Sequence, residues 1–184
     1  MNVRLKDYDT AGFDRGRSRA IEGLWLLLDA CFVSSWLPGS AHRRLLLKVF
    51  GAKIGRGVAI KPHVRIKFPW KLTIGDDTWI GESVWIDNLA PVDIGSNCCI
   101  SQGAYLCTGS HQWTSPVFDL VVGPIHIASS VWIGAKAAIG PGVTAGEGAV
   151  LALASVALRD LDDWSVYQGN PAVKVKDRRM TDRD

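Results

Sequence analysis

The chain has 184 residues, 47% of them hydrophobic and 21% charged, with a formal net charge of +3. That balance excludes a disordered chain and suits one domain with a sizeable core and an appended arm. The small charge excess, with no basic stripe interleaved by aromatics, argues against nucleic acid as a partner.

The first twenty residues carry many charges and no apolar run, so no secretory signal is expected. The segment "AIEGLWLLLDACFVSSWL", residues 20–37, is mostly apolar. Glu22 and Asp29 interrupt it, and it falls short of the roughly 20 clean residues that a spanning helix needs. Ile21, Leu24, Trp25, Leu28, Phe32 and Trp36 recur at helical spacing and predict one broad apolar face. A second helix is predicted at "AHRRLLLKVF", stopped by Gly51. Residues 1–50 thus read as an N-terminal helical arm. It either packs on the main body or a neighbouring subunit, or lies at a membrane surface beside a lipid-linked substrate.

From Ile54 an aliphatic residue followed by a small one returns every six positions: IGRGVA, IKPHVR, IKFPWKLT, IGDDTW, IGESVW, IDNLAPVD, IGSNCC, ISQGAY. After an interruption it resumes as IASSVW, IGAKAA, IGPGVT, AGEGAV, LALASV. A six-residue period is neither helical nor a plain alternation, and it signals a parallel β-helix in which three units make a triangular coil of about eighteen residues. The aliphatic residue should point into the prism. The glycine after it should ease the turn, since it tolerates a positive φ. Thirteen units predict four to five coils in residues 51–160, with residues 161–184 as a C-terminal tail. The two eight-residue units read as small corner loops. The interruption, a loop over residues 108–124, holds a single histidine, His111. Cys31, Cys98, Cys99 and Cys107 show no metal or disulfide spacing and imply small apolar thiols in a reducing cytoplasm.

Several stretches together resemble the hexapeptide-repeat acyltransferases, and most closely the WcaF-type colanic acid and exopolysaccharide acetyltransferases. They are "VFGAKIG" (49–55), "PWKLTIGD" (69–76), "ISQGAYLCTGSH" (100–111), "PGVTAGEGAV" (141–150) and "GNPAVKV" (169–175). The resemblance implies an all-β, left-handed parallel β-helix, assembled as a homotrimer, that transfers an acetyl group from acetyl-CoA to a glycan or lipid-linked saccharide. It places the general base at His111. An imidazole suits this role because its ordinary pKa lies near the working pH. Relatives tend to have an acidic residue just after this histidine, where this chain has Gln112. A backbone carbonyl could orient the ring instead.

The same resemblance implies an acceptor contact at the "IDNLAPVD" corner, at Asp87 or Asn88, with Trp85 and Trp113 as aromatic neighbours of the sugar. An eighteen-residue coil sets that corner beneath the start of the loop, with Asn88 below Leu106. For acetyl-CoA it points to Ala135, Leu153, Leu158 and Arg159, where arginine replaces a usual lysine, and to Lys174 and Lys176 as phosphate contacts. Trp79 and Trp132 read as packing residues on the coil surface. No metal is expected, because His42, His63, His111 and His126 lack the H-x-x-x-x-H spacing of the zinc-binding γ-carbonic anhydrases that share this prism. Acetylation of a small sugar or an antibiotic, and a non-catalytic scaffold role, are the rival readings. The location implied is cytoplasmic, at or near the inner membrane.

Overall fold

The computed structural model describes residues 2–10 and 12–181. From Lys53 the six-residue period becomes a three-sided prism. Its first coil is β1 (Lys53–Ile54), β2 (Ala59–Ile60) and β3 (Arg65–Ile66). The second is β4 (Leu72–Ile74), β5 (Trp79–Ile80) and β6 (Trp85–Asp87), and the third is β7 (Val92–Ile94), β8 (Cys99–Ile100) and β9 (Tyr105–Cys107). A hairpin of β10 (Gly109–His111) and β11 (Leu120–Val122) then leaves the prism. The fourth coil is β12 (Ile125–Ile127), β13 (Trp132–Ile133) and β14 (Ala138–Ile139); the fifth is β15 (Thr144–Ala145), β16 (Val150–Leu151) and β17 (Val156–Ala157).

Equivalent strands pair in parallel. Sheet A is β1-β4-β7-β12-β15 and sheet C is β3-β6-β9-β14-β17. Sheet B runs from β2 through β5, β8, β13 and β16 into β18 (Ser165–Gly169) and the antiparallel β19 (Ala172–Asp177). Leu161 adds a further rung to sheet A by bridging Ala145. The prism therefore has five complete coils and part of a sixth, slightly more than the four to five expected. The extra rung comes from residues whose aliphatic positions are not followed by a small one, so the period fades there.

Each unit buries its leading aliphatic side chain inside the prism: Ile60, Ile80, Ile100, Ile133 and Leu151 form one such column. Fully burying a side chain of this size stabilises by roughly 1.5–3 kcal/mol. The glycines after these residues do not serve the purpose read from the sequence. Gly75, Gly81, Gly95 and Gly134 lie outside the left-handed region, yet a Cβ at any of them would stand 2.6–2.7 Å from the backbone of the next coil. Close stacking, not turn geometry, demands them. The left-handed turn falls two residues later, at Gly57, Asp77, Ser83, Asn97, Gly103 and Lys136.

The open base of the prism is covered by the arm: α1 (Arg19–Leu28), a π-helical turn (Asp29–Val33) and α2 (Ala41–Val49). Ser18 caps α1 by accepting a hydrogen bond from the Ile21 amide. Trp25, Val33 and Leu47 join the prism core. The first coil has no neighbour below, so side chains of the arm satisfy its backbone. Trp25 Nε1 donates to the Ile66 carbonyl (2.8 Å), Arg44 donates to that of Val58 (2.7 Å), and the Ser40 hydroxyl both accepts from Ile60 N (2.9 Å) and donates to Ile60 O (3.0 Å). Arg43, fully buried, holds the arm's own turn by donating to the carbonyls of Val33, Ser35, Leu37 and Gly39. The arm thus packs on the main body through one face.

Two stability predictions follow from this packing. Gly81→Ala places a methyl 2.6 Å from Gln102 N and 2.8 Å from Ser101 C; chemical denaturation should show a loss of at least about 1 kcal/mol, by overpacking. The Asp29 carboxyl in the arm is pushed up to about 7 by burial, which Ile66, Ser34 and Arg65 offset only in part. Its folded-state value exceeds the unfolded one, so its contribution is full below about pH 4 and is lost as pH rises through about 7. Asp29→Asn should therefore raise the melting temperature relative to the parent at pH 8, with the gap closing at pH 4.

Candidate active site

The hairpin leaves the prism where Thr108 clips two corners together. The buried Thr108 hydroxyl donates to the Asp87 carbonyl (2.9 Å) and accepts from the Ala90 amide (3.0 Å). Next, Gly109 passes so close to Leu89 that a Cβ there would lie 2.7 Å from its methyl. The strands of the hairpin pair antiparallel, with Gly109 opposite Val122 and His111 opposite Leu120. Gln112 N donates to the Asp119 carbonyl (2.8 Å) and the Ser115 hydroxyl to the Asp119 carboxylate (2.7 Å), closing the tip. The interruption is therefore an ordered hairpin, which its aperiodic sequence does not disclose.

His111 sits half-buried at the end of β10. Its Nδ1 lies 2.8 Å from the Phe118 carbonyl oxygen. A carbonyl only accepts, so Nδ1 carries the hydrogen and the neutral ring has its lone pair on Nε2. The Phe118 ring stacks on the imidazole (4.3 Å, 14°), and Tyr8 meets it edge-on (5.5 Å, 62°). Phe118 aims its carbonyl from a left-handed backbone, φ +58°, an arrangement that costs energy and persists only where the surroundings impose it. The backbone carbonyl stands where an acidic neighbour was expected; the Gln112 side chain instead donates to Thr114.

Tyr8 was not legible as a site residue. It arrives on an N-terminal segment strapped across the hairpin and the prism wall. Arg4 N donates to the Pro116 carbonyl (2.7 Å), Trp70 Nε1 to that of Arg15 (2.6 Å), and Lys71 Nζ to those of Asp14 (2.6 Å) and Leu89 (2.7 Å).

The corner beneath the hairpin departs from expectation in three places. The eight-residue unit lengthens the coil, so Ile86 rather than Asn88 is in register with Leu106, and Asp87 faces Cys107. Asn88 is fully buried and clamps the coil below, accepting from Phe68 N (2.9 Å) and donating to Phe68 O (2.6 Å). It has no surface to offer a sugar. Trp85 has both faces covered, by Tyr105 (4.8 Å) and by the Arg65 guanidinium (4.3 Å), so it cannot stack on a ring. Asp87 is half-buried at this corner, 3.2 Å from the Tyr105 hydroxyl and 3.7 Å from Lys67 Nζ. Burial, with Cys107 and Asp87 nearby, holds that hydroxyl protonated well above the usual phenol range. Trp113 stands at the hairpin tip, 81% exposed.

A cleft of about 930 Å³ runs along sheet B and the corner between sheets B and C. Gly134, Ala135 and Ala152 are its small residues, Trp132, Val150 and Leu153 its large apolar ones, and Lys176, Arg178 and Arg179, with Asp177 among them, a border of net positive charge. This shape and polarity suit a thin, mostly apolar arm that ends in phosphates. Ala135, Leu153 and Lys176, to which the resemblance points for acetyl-CoA, line this cleft, and so does Trp132, which was expected to pack on the coil surface. Three other candidates lie elsewhere. Leu158 and Arg159 are exposed at the corner between sheets C and A, past the end of β17. Lys174 is held by Asp177 (3.0 Å), whose carboxylate raises the pKa of the ammonium, and lies outside the cleft. Among the described residues no group of three or more His, Cys, Asp or Glu could hold a metal ion.

No family model matches the chain. It is 39% identical over 173 residues to the colanic acid biosynthesis acetyltransferase WcaF of Escherichia coli K12, across 93% of this chain and 94% of that protein. The chain belongs to the WcaF-type acetyltransferase family. Within the wider group it is 28% identical over 145 residues to the galactoside O-acetyltransferase of E. coli K12, across 77% of this chain and 70% of the relative. The hexapeptide-repeat acetyltransferase VCA0836 of Vibrio cholerae in complex with acetyl-CoA superposes with a TM-score of 0.80 at 26% identity, covering 88% of each chain. The prism is accordingly the left-handed β-helix of these enzymes, and the protein is an acetyltransferase with acetyl-CoA as its co-substrate.

In this acetyltransferase the Tyr8 edge contact should matter to catalysis. Tyr8→Ala is expected to lower kcat about tenfold or less, with KM for acetyl-CoA unchanged, while Tyr8→Phe keeps the ring and the rate. Steady-state kinetics on both variants checks this, at the size expected of a group that only positions the His111 ring.

Proposed function

We propose that the enzyme moves an acetyl group from acetyl-CoA to a sugar hydroxyl of an exopolysaccharide or its lipid-linked precursor, with His111 as general base. The supporting observation is the Nδ1–Phe118 carbonyl hydrogen bond, which fixes the tautomer and leaves the lone pair on Nε2. Nε2 takes the proton of the acceptor hydroxyl as its oxygen attacks the acyl carbon, then gives it to the thiolate that leaves as the thioester C–S bond breaks. When bound, acetyl-CoA supplies the acyl group already activated as a thioester. Ala135, Leu153 and Trp132 hold its arm, and Lys176 and Arg179 its phosphates. Asp87 and Trp113 lie on the acceptor side.

The cleft and His111 stand on different edges of one prism, the first at the corner of sheets B and C, the second at that of C and A. A homotrimer reconciles them, since each prism then brings its His111 hairpin, Leu158 and Arg159 to the cleft of its neighbour. The name of the E. coli relative points to an exopolysaccharide acceptor, and that match includes the arm. We place the enzyme on the cytoplasmic side of the inner membrane, in peripheral contact through the arm; among the described residues no helix is long and apolar enough to cross a membrane.

The test is transfer from acetyl-CoA to a panel of glycans by the parent and by His111→Ala. Loss of the base should lower kcat by about 10²–10⁴ and leave acetyl-CoA binding in place. An unchanged rate would show that another group takes the proton.

A further inference from the structure

The arm that seals the base of the prism has a second face. Trp25, Val33 and Leu47 point into the core, while Leu24, Leu27, Phe32, Trp36, Leu45 and Val49 point away from it. Trp36 is 73% exposed, Val49 71%, Leu45 64% and Leu27 61%. Monomeric soluble proteins rarely leave such residues grouped on one surface without a partner. On α2, Leu45, Lys48 and Val49 share the outer face, opposite the buried Arg43 and Leu47. On α1, Leu24 and Leu27 share theirs, opposite Trp25.

Charge identifies what this face meets. Residues 1–50 contain eight Lys and Arg against five Asp and Glu, whereas the rest of the chain has thirteen of each. The whole formal excess of +3 therefore lies in residues 1–50; within 18–50 there are four Lys and Arg against two Asp and Glu, with Arg43 buried. Arg17, Arg19 and Lys48 are exposed beside the apolar residues. An apolar face bordered by cations, on helices too short to span, has the make-up of a segment that lies in the headgroup region of an anionic bilayer.

We infer that the outer face of α1, the π-helical turn and α2 is an interfacial anchor for anionic phospholipid, and that it seats the prism with its base on the membrane. The anchor deepens the peripheral contact proposed above and rests on that reading of the enzyme. It also sets a height. The His111 hairpin leaves the prism after β9, two rungs above β3 in sheet C. With rungs about 4.8 Å apart, the hairpin emerges roughly 10 Å above the first coil, and the layer of arm helices beneath it adds about another 10 Å. A saccharide that carries several sugars out from its lipid would meet the hairpin at that level, whereas a long free glycan gains nothing from the seating.

The experiment is cosedimentation of the full chain with vesicles of phosphatidylcholine alone or mixed with phosphatidylglycerol. Binding is expected to the mixed vesicles and to weaken as salt rises. Leu27→Ser with Trp36→Ser should cut partition about tenfold or more. Arg19→Glu with Lys48→Glu should abolish the preference for phosphatidylglycerol. All four side chains face solvent, so the melting temperature and the acetylation of a soluble sugar should stay at parental values, which separates lost docking from lost folding. No sedimentation with either vesicle, equal partition into both, or a smaller oligomer on gel filtration of the Leu27→Ser, Trp36→Ser variant would each overturn the inference, the last by showing that a second copy covers the face. Vesicle binding without acetyl transfer would leave the anchor standing and overturn the enzymatic reading; transfer without binding would do the reverse.

Discussion

Every coil of this prism has to fit the one beneath it, and that single constraint shapes the rest of the molecule. Parallel ladders on three sides fix the spacing between coils, so a unit can neither widen nor shift without breaking pairing above and below. Additions are tolerated only at corners, where the chain can swing outward. All the irregular parts of the molecule obey this. The Pro69–Lys71 turn and the bend at 88–91 occupy one corner column, and the His111 hairpin leaves from the same column one coil higher. The site is therefore placed by what the wall forbids as much as by what the hairpin contributes.

The same constraint leaves two open ends, and they are closed by different means. At the top, β18 turns back into β19, and Arg178 ties the return to the Ser130 and Gly148 carbonyls. At the base, single side chains of the arm stand in for a missing coil, most economically at Ser40, whose hydroxyl serves both backbone groups of Ile60. Covering an edge in this way prevents another chain from adding a strand to it. It also obliges the arm to turn its remaining apolar surface outward, so closure below and exposure at the outer face have one cause.

How much of this could be read from the residues depends on whether a feature repeats. The aliphatic column, the corner expansions and the break at His111 each recur or interrupt a recurrence, and they were visible. The glycines were visible but explained wrongly, because steric closeness between coils leaves the same letter in the sequence as a left-handed turn does. Asn88 and Trp85 were misplaced for a related reason. Polar and aromatic residues at a corner look alike whether they face a ligand or clamp the neighbouring coil, and only the twenty-residue register of Asp87 with Cys107 separates the two. Tyr8 and Trp132 carried no local signal, since the contact of the first depends on the path of the strap and that of the second on the return of β19.

The carbonyl of Phe118 orients the His111 ring without a carboxylate. A base oriented by a carboxylate can lose its orientation through one codon change, whereas a peptide oxygen is encoded by no side chain. Here the alignment of the imidazole is a property of the hairpin's shape, set by a left-handed residue and a closed tip. Drift in the surrounding letters, including the glutamine that follows the histidine, leaves that oxygen where it is. The tip is thereby free to vary, while the Nε2 edge of His111 stays in place.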